Sequence, residues 1–120
     1  MKETLISFET AKLAKKKGFG WFGFGECEKF YYPPTKELTR NHRGENYPAP
    51  TQSLLQKWLR EVHEIHININ TFYFEDLGKY GYEVEDIIHK EGWVVMSNTA
   101  GTYEEALEKG LQKALKLIKL

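Results

Sequence analysis

The stretch "TQSLLQKWLREVHEIHININ" (Thr51–Asn70) changes its hydrophobic period part-way along. Leu54, Leu55, Trp58, Leu59 and Val62 recur at i, i+1, i+4, i+5 and i+8, which gathers them on one face of a helix. Pro50 and Thr51 mark where that helix starts. From Ile65 the period becomes two: Ile65, Ile67 and Ile69 alternate with His66, Asn68 and Asn70, the pattern of a half-buried strand. A helix that feeds straight into a one-faced strand needs a sheet on which to fold back.

Working outward toward the C-terminus, "LGKYG" reads as a turn, "YGYEVEDII" as a second strand and "EGWVVMS" as a third. Thr102 with Glu105 forms a capping box. Behind it Tyr103, Ala106, Leu107, Gly110, Leu111, Ala114, Leu115 and Ile118 draw the apolar stripe of a last helix. Residues 51–118 therefore read α-β-β-β-α. Consecutive strands with short turns imply an antiparallel meander, and the helices at its ends must cover one face. The expectation is an α+β two-layer sandwich.

Toward the N-terminus, "SFETAKLAKKKG" predicts a helix over residues 7–17, with Ser7 as N-cap, Ile6 able to staple onto Ala11, and Gly18 as the closing residue. Residues 19–32 mix aromatics with glycines and suggest a short β region. Residues 33–50 hold all 4 prolines and almost no aliphatics, and are expected to be a long, polar, exposed loop. At 120 residues the whole chain, 1–120, is expected to be a single domain.

Composition excludes several classes. Hydrophobic residues at 41% and charged residues at 28% match an ordinary globular protein. Lys and Arg balance Asp and Glu at 17 each, so no strong global attraction to nucleic acid or anionic membrane follows. The distribution is uneven: residues 1–60 carry 11 basic against 6 acidic side chains, and residues 61–120 carry 6 against 11. Such polarity suits head-to-tail association or a charged partner, unless folding interleaves the charges. The single cysteine, Cys27, cannot form an internal disulfide, and no apolar run approaches 18 residues. The expected location is cytoplasmic, with no membrane contact.

The motif matches fail on context. Gly18, Gly20 and Gly23 spell G-x-G-x-x-G, but a dinucleotide fingerprint must leave a strand and open a helix, whereas this one leaves a helix. "VHEIH" places His63 and His66 three apart across a helix-to-strand boundary, where two helical zinc ligands need four. His42 and His89 stand far from both. Cys27 lies between Glu26 and Glu28, whose charges raise a thiol pKa and oppose nucleophilic activation. Carboxylate pairs such as Glu85-Asp86 and Glu104-Glu105 read as solvated charges. No metal, cofactor or catalytic residue is expected, and the chain is not expected to be an enzyme.

Two binding readings stay open. The α-β-β-β-α order is that of double-stranded-RNA-binding domains, which meet phosphate through lysines at the start of the last helix, where this chain has Glu104 and Glu105. A more suitable surface combines Trp21, Tyr31 and Tyr32 with Lys15, Lys16, Lys17, Lys29, Lys36, Arg40 and Arg43. Tyr and Arg are the residue types that anchor interfaces, so Trp21, Tyr31, Tyr32, Lys36, Arg40 and Arg43 are the candidate binding residues.

Three segments, "ISFETAKLAKKKGF" with the later Cys and "YY", "APTQSLLQKWLREVH" and "TYEEALEKGLQKALKLI", together resemble a large family of small, functionally uncharacterised proteins encoded in prophages and mobile elements of gut bacteria. The resemblance spans roughly half the chain. It implies an accessory role in a phage or mobile element and carries over no activity, ligand or site residue. The tail "GWVVMSNTAGTYEEALEKGLQKALKLI" is also similar to the strand-then-helix end of HicB-type antitoxins, although their Pro-Gly-Cys segment and a following DNA-binding segment are missing. The expected function is thus a non-enzymatic binding protein acting on a host or phage macromolecule, a protein before a nucleic acid. A nucleic-acid-binding or antitoxin-like regulator is the alternative, and a self-associating component the third possibility.

Overall fold

The computed structural model describes residues 4–19, 29–40, 46–71, 80–86 and 94–118. Among these residues three helices and two small antiparallel sheets form an α+β fold, as the alternating periods require. Helix α1 (Phe8–Lys16) opens on Ser7, whose hydroxyl accepts from the Thr10 N–H. It ends at Lys17, and Gly18 takes the left-handed conformation (φ 98°) that only glycine adopts at no cost.

Helix α2 (Gln52–His63) is capped by Thr51 and closes on Glu64, itself left-handed at φ 52° and ψ 37°. That one residue reverses the chain into β4 (Ile65–Thr71), so the boundary falls where the hydrophobic period changes. β4 pairs with β5 (Tyr80–Asp86), which pairs with β6 (Val94–Ala100), in the order β4-β5-β6. Ile67 stands opposite Val84, and Val84 opposite Val95. Helix α3 (Tyr103–Leu117) packs across all three strands and against α2, while α2 also packs on β4. Burying Leu55, Leu59, Leu111, Leu115 and Val84 to 0% exposure supplies the core of this layer pair, each side chain contributing about 1.5–3 kcal/mol of transfer free energy.

Of residues 33–50, 34–38 and 40 are exposed as expected, whereas 46 and 48–50 are buried, and the stretch is not all loop. β1 (Phe30–Tyr32), β2 (Glu37–Thr39) and β3 (Tyr47–Pro48) form a second sheet in the order β2-β1-β3. Pro48 is compatible with it because β3 lies at the sheet edge, where a missing N–H breaks no central ladder. Of the β region expected at 19–32, Phe30–Tyr32 is strand, and residues 20–28 lie outside the described part.

Helix α1 joins the helical layer by packing on α3 and touches β3 on its other flank. The preceding segment is tied to the start of α2: Ile6 N–H donates to Pro50 O at 3.0 Å, and Gln52 N–H to Thr4 O at 2.8 Å. Two residues of the predicted stripes end in solvent, Val62 at 49% and Tyr103 at 46% exposure, each in a terminal turn beyond the packed stretch. Gln52 is buried instead, its amide donating to Glu104 O at 2.9 Å and Glu108 Oε1 at 3.0 Å.

Candidate functional site

Among the six candidate residues, Trp21 and Arg43 lie outside the described part of the chain. The other four fall on the β1–β2 hairpin and its turn, with different roles. Tyr31 is half-buried. Its hydroxyl donates to Ile6 O at 2.6 Å, and its ring meets Phe8 of α1 edge-on at 5.6 Å. Burial, and secondarily the Glu108 carboxylate, push its phenol above the ordinary tyrosine value. Tyr31 therefore anchors the small sheet to α1.

Tyr32 is exposed at 43%, and alternation sends it to the opposite face from Tyr31. Lys36 adopts the left-handed conformation at φ 62°, and its ammonium lies 5.3 Å from the centre of the Phe8 ring, a cation–π contact. Arg40 is exposed and, with Lys29, Leu38 and Thr39, lines a shallow depression of about 300 Å³. Leu38, 44% exposed, is the cross-strand partner of Tyr31.

A larger feature lies on the other side of the same aromatic cluster. Phe8 also packs on Tyr47 of β3, with ring centres 5.5 Å apart, and Lys15 sits 5.4 Å over the Tyr47 ring while its ammonium donates to Asn46 O at 3.2 Å. Beyond Tyr47 opens a cleft of about 680 Å³ between α1, β3 and the C-terminal half of α3. Leu13 and Tyr47 give it apolar surface. Lys12, Lys15, Lys16 and Lys116 surround it, and Glu9 and Gln112 complete it. Among its described lining residues four lysines stand against one glutamate, beside the apolar surface of Leu13 and Tyr47.

An aromatic ridge of Tyr31, Phe8 and Tyr47 thus runs from the β1–β2 hairpin to the cleft, with Lys36 over Phe8, Lys15 over Tyr47, and Leu38 and Arg40 at its hairpin end. The run Lys15-Lys16-Lys17 was visible in the sequence as a basic patch. Lys12 belongs with it because it lies one helical turn earlier on the same face. Tyr47, Gln112 and Lys116 carried no local signal. They join the site only because α1 packs on β3, which carries Tyr47, and on α3, which carries Gln112 and Lys116; the second juxtaposition is reinforced by the Lys17 ammonium donating to Ile118 O at 2.6 Å.

Among the described residues no three His, Cys, Asp or Glu side chains come together as a metal site would require, and no helix is long and apolar enough to cross a membrane. His63 packs its ring against Trp58 at 4.7 Å, while His66 lies on the strand opposite Glu85, so the two histidines of "VHEIH" occupy different surroundings. Comparison with models of known protein families, with curated proteins and with solved structures gave no match.

Proposed function

We propose that this protein is a non-enzymatic binding module of a phage or mobile element. In this reading it acts in the cytoplasm and uses the basic-aromatic strip to hold an anionic surface of a host or phage macromolecule, a protein before a nucleic acid. The observation that carries the reading is the strip itself: Lys36 over Phe8 and Lys15 over Tyr47 place cations on a folded aromatic ridge that continues into a lysine-lined cleft. Aromatic and basic side chains side by side are what interfaces use to combine desolvation with charge recognition. The zero net charge of the chain favours a local match over the delocalised attraction that drives binding to long polyanions.

The test is an affinity capture from lysate of the natural host with the intact chain and with a Lys36→Glu/Arg40→Glu variant, each with and without nuclease, read by mass spectrometry. A stoichiometric protein that survives nuclease and is lost with the variant supports the reading. Capture that disappears on nuclease treatment transfers the function to nucleic-acid binding. Capture that ignores the variant shows that the strip is not the binding surface.

A further inference from the structure

The cleft between α1, β3 and α3 sets two chemistries side by side. On α1, Lys12, Lys15 and Lys16 share one face at i, i+3 and i+4, and Lys116 approaches from α3. Like charges at this spacing oppose one another, offset in part by Glu9 three positions before Lys12, and an anionic occupant relieves the remainder. Lys12, Lys16 and Lys116 are exposed, so their ammonium groups are open to a ligand. Between them lie the half-buried Leu13 and the Tyr47 ring, and the lysine stems extend this apolar surface.

A matching ligand therefore needs an apolar body flanked by negative charges. The cleft of about 680 Å³ is open to solvent along much of its length, which suits apolar side chains laid into it from a partner's surface. Nucleic acid fits less well. Among the described lining residues no arginine is present to fork onto phosphate, and Tyr47 is the single aromatic ring, where a single strand stacks successive bases on several.

We propose that this cleft binds an acidic amphipathic segment of a partner protein, seating apolar side chains against Leu13 and Tyr47 while flanking carboxylates meet Lys12, Lys16 and Lys116. The proposal rests on the binding-module reading and names the chemistry of the partner.

The probe is a fluorescein-labelled peptide of about 15 residues with Leu and Glu at helical spacing, titrated with the full chain and followed by anisotropy. Saturable one-to-one binding is expected. It should weaken at least tenfold in a Lys12→Glu/Lys16→Glu/Lys116→Glu variant, and again in about 0.5 M salt, where screening is strong. A Glu-only peptide and an oligothymidylate of equal charge should bind at least tenfold more weakly than the amphipathic peptide. A Lys→Gln version of the triple variant, with circular dichroism of both, separates loss of charge from loss of fold.

Equal binding of the Glu-only peptide or the oligothymidylate would overturn the proposal, reducing the cleft to an unselective cationic patch. So would affinity unmoved by charge reversal. Salt-sensitive dimers that the triple variant abolishes, with no peptide binding, would overturn it in favour of a second copy of this chain. An Arg60→Glu variant, exposed on α2 and lining neither depression, should bind the peptide as the unmodified chain does. The host-capture variant changes Lys36 and Arg40, neither of them among the described residues of the cleft, so failure of the peptide experiment leaves the host-capture result standing on its own.

Discussion

Glu108 of α3 closes the N-terminus of α1: its Oε2 accepts from the Ser7 N–H at 3.0 Å and the Ser7 hydroxyl at 2.9 Å, across 101 positions of sequence. The Thr10 hydroxyl donates to the same oxygen, and Gln52 of α2 donates to Oε1 at 3.0 Å. One carboxylate thus joins three helices, and it does so at the positive end of the α1 dipole, where negative charge is favoured. Replacing it strands several donors. Glu108→Ala is expected to lower stability by about 2–3 kcal/mol, and Glu108→Gln by less, because the amide oxygen keeps one acceptor. Urea unfolding measures both. A loss below about 0.5 kcal/mol for the alanine variant would show that water replaces the network, as it does for a typical surface position.

Gly110 lies where α3 crosses the sheet. A Cβ built there would stand 2.9 Å from Ile67 Cγ2 and 3.3 Å from Tyr82 Cβ. Alanine favours a helix over glycine by about 1 kcal/mol, so the two effects oppose each other. The clash wins, because Ile67 is buried and its branched side chain has no spare rotamer to retreat into. Gly110→Ala is expected to be net destabilising by about 1–2 kcal/mol. A rise in thermal midpoint would mean that α3 can lift from β4 and β5 at little cost.

Tyr31 makes stability sensitive to alkaline pH. Its folded-state phenol titrates above the ordinary value, through burial and then through the nearby Glu108 charge. The unfolded chain therefore loses this proton first, near pH 10, and the folded form holds it longer. The contribution is fully present below about pH 10 and is lost as pH rises through the folded value. Tyr31→Phe removes the bond to Ile6 O and should cost about 1 kcal/mol at neutral pH. The gap between the two proteins should then narrow above about pH 10. Urea midpoints at neutral and alkaline pH test this, and a constant gap would contradict it.

Glu64 sits at φ 52°, a conformation that costs a non-glycine residue about 1 kcal/mol. It is exposed, and its N–H donates to Leu59 O, a bond that any residue with a backbone N–H can make. Glu64→Gly is expected to raise stability by about 0.5–1 kcal/mol by relieving the strain at the end of α2. Chemical denaturation reads the gain. A loss would show that the flexibility glycine adds to the unfolded chain outweighs the relief.

The local pattern of residues determined the helices, the meander and their caps. Ser7, Thr51 and Thr102 each accept from an N–H in the first helical turn, and the period change at Glu64–Ile65 marks the α2–β4 boundary to the residue. These features are legible because capping and side-chain alternation act over a few residues. Of the small sheet only β1 was legible, inside the β region expected at 19–32: β2 and β3 span 3 and 2 residues, too short for a period, and pair only because Phe30 and Tyr31 offer both edges of β1. Aromatic composition likewise could not assign Tyr31 inward and Tyr32 outward, since a shift of one residue in register would exchange them. The cleft and the Glu108 hub belong wholly to tertiary structure. Lys12 and Lys116, or Ser7 and Glu108, lie some hundred positions apart and meet only because the buried stripes of α1 and α3 pack together. That packing is driven by apolar area, which carries no information about which polar groups it brings side by side.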